Sequence, residues 1–218
     1  MKRRITLGIA LILPVMLATP AIADSVLYTN GPISAVTAND VYGHWLSANS
    51  FTLTQPSTIT AFEVGLWVDH GGGTPASIVW IISANDPNFL GGTFINEGTT
   101  TFSSNTLYCS ACGWLNNNDI YTSRVDGLSV SLAAGTYYLE LGNGTTSLGY
   151  DIAGWDVNGG PSQAYLYRNE FPYDSTQLDS SDAFTIYGAT NVPEPGTLVL
   201  LATGLLGLAS VVRRRFSL

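Results

Sequence analysis

Between residues 24 and 192, short apolar runs rich in valine, isoleucine, threonine and aromatics alternate with clusters of glycine, asparagine, aspartate and proline. No stretch keeps the period of a capped amphipathic helix, whereas alternation with period two recurs. The pattern predicts strands at 41–46, 50–54, 58–68, 77–83, 120–125, 127–132, 136–141, 147–151, 164–168 and 182–187. Gly71-Gly72-Gly73, Asn85 to Asn88 and Gly91-Gly92 read as turns, and Asn143-Gly144 as a hairpin dipeptide. In 58–68 the alternation puts Phe62, Val64 and Leu66 on the core face, with Ile59, Glu63, Trp67 and Asp69 on the wetter one. In 136–141 it sets Tyr137, Leu139 and Leu141 against Thr136, Tyr138 and Glu140; Trp80, in step with Ile78 and Ile82, reads as core. The expected fold is all-β, an antiparallel β-sandwich of about eight to ten strands, with a jelly roll as one arrangement of it.

Both ends break this pattern. Met1-Lys2-Arg3-Arg4, an apolar run from Ile5 to Leu17, and Ala21-Ile22-Ala23 make a secretory signal peptide over 1–23, cut after Ala23 to leave Asp24 first. A folded ectodomain over 24–191 follows. Residues 192–218 have three parts: Pro193-Glu194-Pro195, an apolar stretch over 197–212, and Arg213-Arg214-Arg215. As a helix the stretch would reach roughly 24 Å at 1.5 Å per residue, marginal against a hydrocarbon core of about 30 Å. The arginines would keep its end cytoplasmic and the folded domain outside.

This tripartite end resembles the PEP-CTERM sorting signal of exported bacterial proteins. The resemblance implies recognition by an exosortase, cleavage near Pro193–Pro195, and transfer of the domain to the cell surface or extracellular matrix. Signal peptidase is the other processing partner, and the C-terminal helix is the membrane anchor before cleavage. Segments of the body, among them Ser57-Thr-Ile-Thr-Ala-Phe, Leu132-Ala-Ala-Gly-Thr-Tyr-Tyr-Leu-Glu-Leu and Ala183-Phe-Thr-Ile-Tyr-Gly, resemble an uncharacterised ectodomain type found beside that signal. No catalytic residues come with the resemblance.

Composition then narrows the chemistry. Charged residues are only 11% of the 218, and the formal net charge is −8. Six of the eight basic residues lie in the two terminal segments. The ectodomain keeps Arg124 and Arg168 against fifteen carboxylates, a net charge of −13 with no lysine. Such a surface disfavours nucleic acid and polyanions.

Cys109-Ser110-Ala111-Cys112, in an exported chain, reads as a small-loop disulfide in a loop rather than as a redox motif. His44 and His70 lack metal-ligand spacing, and no G-x-S-x-G elbow is present. Oxygen-rich Asn116 to Asp119, and Asp151 with Asp156 and Asn158, are candidate calcium ligands, with turn chemistry as the alternative. Trp67 beside Glu63, Tyr138 beside Glu140, and Trp114 and Trp155 in loops are candidates for stacking on sugars while acids bind hydroxyls. Glu63 and Glu140, with Glu97 next, form the best carboxylate pair for a glycan-degrading enzyme. The expected role is non-enzymatic: a surface or matrix protein associated with exopolysaccharide or biofilm by adhesion or glycan binding. A structural matrix subunit without a ligand, and the enzyme, are the alternatives.

Overall fold

The computed structural model describes residues 24–84, 94–113, 117–168 and 175–190, together with Gly204 alone. The expected signal-peptide residues Ala21 and Ala23, the triplet Pro193–Pro195, the apolar stretch apart from Gly204, Trp114 and Asn116 lie outside the described residues. Among the described residues no helix is long and apolar enough to cross a membrane.

Fourteen strands follow in order: β1 (Ser25–Thr29), β2 (Ala38–Asn39), β3 (Trp45–Leu53), β4 (Ser57–Asp69), β5 (Pro75–Ser83), β6 (Phe94–Thr101) and β7 (Ser104–Cys112). Then come β8 (Asn118–Leu132), β9 (Gly135–Thr146), β10 (Gly154–Asn158), β11 (Ala164–Arg168), β12 (Ser175–Leu178), β13 (Ser181–Asp182) and β14 (Phe184–Thr190). They form two antiparallel sheets. The first runs β1-β14-β4 with β8 and β7 beyond β4; β10, carrying β2 and β13, continues along β14's side of β4. The second runs β12-β11-β3-β9-β5-β6.

One apolar core lies between the sheets, as the alternation requires. The first sheet contributes Phe62, Val64, Leu66, Val125 and Ile186; the second contributes Phe51, Ile78, Trp80, Leu139 and Leu141. The expected core faces of β4, β5 and β9 are those observed, with one exception. Ile59 belongs to the core as well. Opposite β14, Tyr187 pairs with Ala61 and Gly188 with Ile59, so Thr60 bulges out and the phase of β4 slips by one.

Three expectations about elements change. The predicted 41–46 and 50–54 merge into β3, which starts at Trp45, and 120–125 and 127–132 merge into β8. Asn143-Gly144 is not a hairpin turn: β9 runs through it. Against β5, Gly142 pairs with Val79 and Thr145 with Ser77, so the dipeptide forms a bulge opposite Ile78. Asn143 takes φ 47°, and a Cβ on Gly144 would meet Ile152 at 2.8 Å, so that any side chain there would have to displace Ile152. The turn falls instead at Thr146–Gly149, closed by the Gly149 N–H to the Thr146 carbonyl at 2.9 Å, so 147–151 is no strand. Finally, β6 and β7 were unforeseen, and Cys109 and Cys112 sit at the end of a strand rather than in a loop.

Candidate functional site

The alternation marks the outer face of the first sheet as solvated, but the chain crosses over part of it. Residues 31–36 lie across β4 and β10. The backbone N–H groups of Ser34 and Ala35 donate to Asp156 at 2.6 and 3.0 Å, and Trp67 Nε1 donates to the same carboxylate at 2.8 Å. Trp67 is only 3% exposed, with Gly113 directly over its ring. Burial raises the Asp156 carboxyl above its usual range, although these donors oppose it.

Several expected surface residues are therefore interior. Trp155 is wholly buried; its indole donates to the Ala183 carbonyl at 2.8 Å and packs edge-on against Phe184. Tyr138 is buried against Tyr165. Glu140 is buried too, accepting from Ser83 Oγ at 2.5 Å and from the Tyr167 hydroxyl, with burial raising its pKa. The glycan candidates thus do not gather on one open face.

Nor do the proposed calcium ligands converge. Asp151 is exposed beside Thr145, Asp156 is saturated as described, and Asn158 is committed to Asn30 and Pro32. Among the described residues no group of three histidine, cysteine or acidic side chains is placed to hold a metal ion.

Glu63 and Glu140 do not form a pair. Glu63 lies between core residues Phe62 and Val64 and so points outward from the first sheet; Glu140, between Leu139 and Leu141, points outward from the second. The whole sandwich, with about 10 Å between the sheets alone, separates them. Two carboxyls on opposite faces cannot flank one glycosidic bond.

What Glu63 does line is a cleft of about 530 Å³. Its floor is Glu63, Gly65, Thr122 and Thr185; one wall is Pro32 and Ile33, the other Tyr108. Gly65 shapes it: a Cβ there would strike Ile33 at 2.7 Å, so glycine lets Ile33 sit down on the sheet. Tyr108 is placed by a bulge in β7. Leu107 pairs with Tyr121 and Cys109 with Ile120, which leaves Tyr108 without a partner opposite and re-aims its side chain. It is 54% exposed.

A clamp holds the strand end that follows. Cys109 and Cys112 are joined by a disulfide. Asp119 Oδ1 accepts from Ser110 Oγ at 2.7 Å and the Ala111 N–H at 2.9 Å, and lies 2.9 Å from His70 Nδ1. Burial would raise Asp119, but hydrogen bonds from His70, Ser110 and Ala111 outweigh it and hold the carboxyl at about 2. His70 is thus bound to Asp119, while His44 is exposed before β3 of the other sheet.

Glu63 accepts no hydrogen bond from the described residues. Arg124, its cross-strand neighbour, is spent on Asp24 at 2.9 Å, Asp126 at 2.7 Å and the ring of Tyr187. A second cleft of about 510 Å³ adjoins the first, lined by Asn30, Ser34 and the Asn158–Pro161 loop; the two share Thr29, Gly31, Pro32 and Ile33.

The chain beyond the last strand carries its own signal. Residues 191–215 match the PEP-CTERM protein-sorting motif. The motif begins immediately after β14 ends at Thr190. It marks the chain as an exported protein sorted to the cell surface by an exosortase, and the β-rich ectodomain as the cargo. No curated protein matches the chain. Sequence reasoning missed Tyr108, Thr122 and the Pro32–Ile33 wall, because a bulge and a crossing loop placed them.

Proposed function

We propose that this PEP-CTERM protein is a non-enzymatic surface or matrix component that associates with exopolysaccharide. Export begins with the signal peptide over 1–23, removed by signal peptidase before Asp24. The 197–212 stretch then holds an inner-membrane intermediate with Arg213–Arg215 on the cytoplasmic side. Exosortase cleaves near Pro193–Pro195 and releases the ectodomain to the surface and its polymer matrix.

The match over 191–215 carries the export and exosortase sorting in this reading. The ectodomain's charge supports it: once both ends are gone, fifteen carboxylates face two arginines, which suits an uncharged polymer better than nucleic acid or anionic lipid. The separation of Glu63 from Glu140 favours binding over hydrolysis.

Mass spectrometry of protein released from the cell surface tests the processing. The expected product starts at Asp24 and ends near Pro193–Pro195. A mature product that retains Arg213–Leu218 defeats the exosortase step.

A further inference from the structure

We propose that the two adjoining clefts on the first sheet form one extended site for an internal stretch of a neutral, linear polysaccharide. The inference rests on the exopolysaccharide reading above and gives it a place and a ligand class.

Continuity is the first argument. The clefts, about 530 and about 510 Å³, share the Gly31–Ile33 segment as a saddle between them. Each alone has the volume of a small-molecule site, which is roughly 300–1,000 Å³. Two such lobes on either side of one shared segment suit consecutive units of a chain better than one compact ligand.

The groups presented are the second. Among the described residues Glu63 is the only charged side chain lining either lobe, and it accepts no hydrogen bond from them. An unpaired carboxylate on a sheet floor is a ready acceptor for sugar hydroxyls, and the Thr122 hydroxyl beside it can both donate and accept. Tyr108 stands over this floor as an exposed aromatic wall, able to cover the C–H face of a pyranose ring. With no cation among the described lining residues, an anionic sugar would meet Glu63 and be repelled.

Position is the third. Thr185 of the cleft lies at the start of β14, whereas the sorting motif leaves from its end at Thr190. Five strand residues at about 3.4 Å each put the floor roughly 17 Å from the point of attachment. The floor therefore stands clear of the residue from which the sorting motif leaves.

The test uses the full-length protein in detergent micelles. The probe is exopolysaccharide extracted from the producing cells, separated by ion exchange into neutral and charged pools. The neutral pool is partially hydrolysed into a size ladder. The neutral pool should bind, with affinity rising about tenfold or more from one sugar to a chain long enough to enter both lobes. Glu63→Gln and Tyr108→Ala should each weaken binding about tenfold, and Thr122→Val less, with thermal unfolding midpoints kept near wild type.

If wild type binds the neutral pool but all three variants bind equally well, the site is elsewhere and this inference falls while the exopolysaccharide reading survives. Binding confined to the charged pool, or equal affinity for one sugar and the longest chain, also overturns it. If no pool binds wild type, the exopolysaccharide reading itself fails.

Discussion

Asp182 is the residue whose surroundings differ most from its place in the sequence. It lies between the sheets, wholly buried, with Oδ1 accepting from Asn39 and Oδ2 from Ser47 and Asn49 at 2.7–2.8 Å. Burial, only partly offset by those donors, raises its pKa to about 7. In the unfolded chain an aspartate titrates near 3.9, so the folded state holds this proton more tightly. Its contribution to stability is therefore complete below about pH 4 and lost as pH rises to about 7. Glu140 and Asp156, raised by burial, act in the same direction. Asp119, held at about 2, opposes them only as pH falls below about 4. Thermal unfolding should thus give a higher midpoint at about pH 5 than at about pH 7.5, with a smaller difference in Asp182→Asn. A midpoint that falls on acidification over that range contradicts this assignment. Ser123 is the converse case. It is wholly buried in β8, and its hydroxyl has no partner among the described residues. Ser123→Ala should stabilise the fold by about 1 kcal/mol in urea unfolding, since it removes an unsatisfied buried group.

At the scale of the element, bulges decide what the strands present. The Thr60 bulge brings Ile59 into the core, the Asn143-Gly144 bulge carries β9 past Ile78, and the one at Tyr108 builds a cleft wall. The last is followed directly by the disulfide. A closed loop of four residues restricts the unfolded chain by about 2 kcal/mol in the chain-entropy description. Dithiothreitol, or Cys109→Ser with Cys112→Ser, should lower stability by about that amount. Hydrogen exchange should rise at Ser110 and Ala111 and little in β4. Unchanged exchange at that corner would mean that Asp119 alone holds it. Gly113 belongs to the same corner: with φ +72° and Trp67 within 2.5 Å of any Cβ, Gly113→Ala should destabilise by about 1–3 kcal/mol.

Over the whole molecule, the termini and the ectodomain divide the work. Core residues between the sheets run from Val41 to Ile186, all before the sorting motif. Ending the chain at Asn191 should leave the unfolding midpoint within about 2 °C of the full chain, since no described core residue is removed. The same truncation should abolish the membrane-held intermediate, so that the protein no longer appears in the membrane fraction of the producing cells. A large drop in midpoint would show that the tail packs on the sandwich; persistence in the membrane fraction would show that the ectodomain holds the membrane by itself.

The C-terminal sorting motif was legible in one dimension because such signals are read as linear segments: a triplet, an apolar length, a charge in order. Strand faces were legible for a related reason, since alternation is local geometry and the core collects every second side chain. The outer faces were not. Trp67, Tyr138 and Glu140 carry the right parity for a surface, yet other segments cover them, and nothing within a strand announces what will cross it. Likewise Asp156 and Asn158 look like ligands along the chain but are consumed by hydrogen-bond partners more than a hundred residues away. Glu63 kept its outward place, and what it shares a cleft with was decided by contacts distant in sequence. The sequence by itself determined where this protein is sent and which faces make its core; only the tertiary structure decided which polar groups remain free to bind, because long-range hydrogen bonds and crossing loops use up the rest.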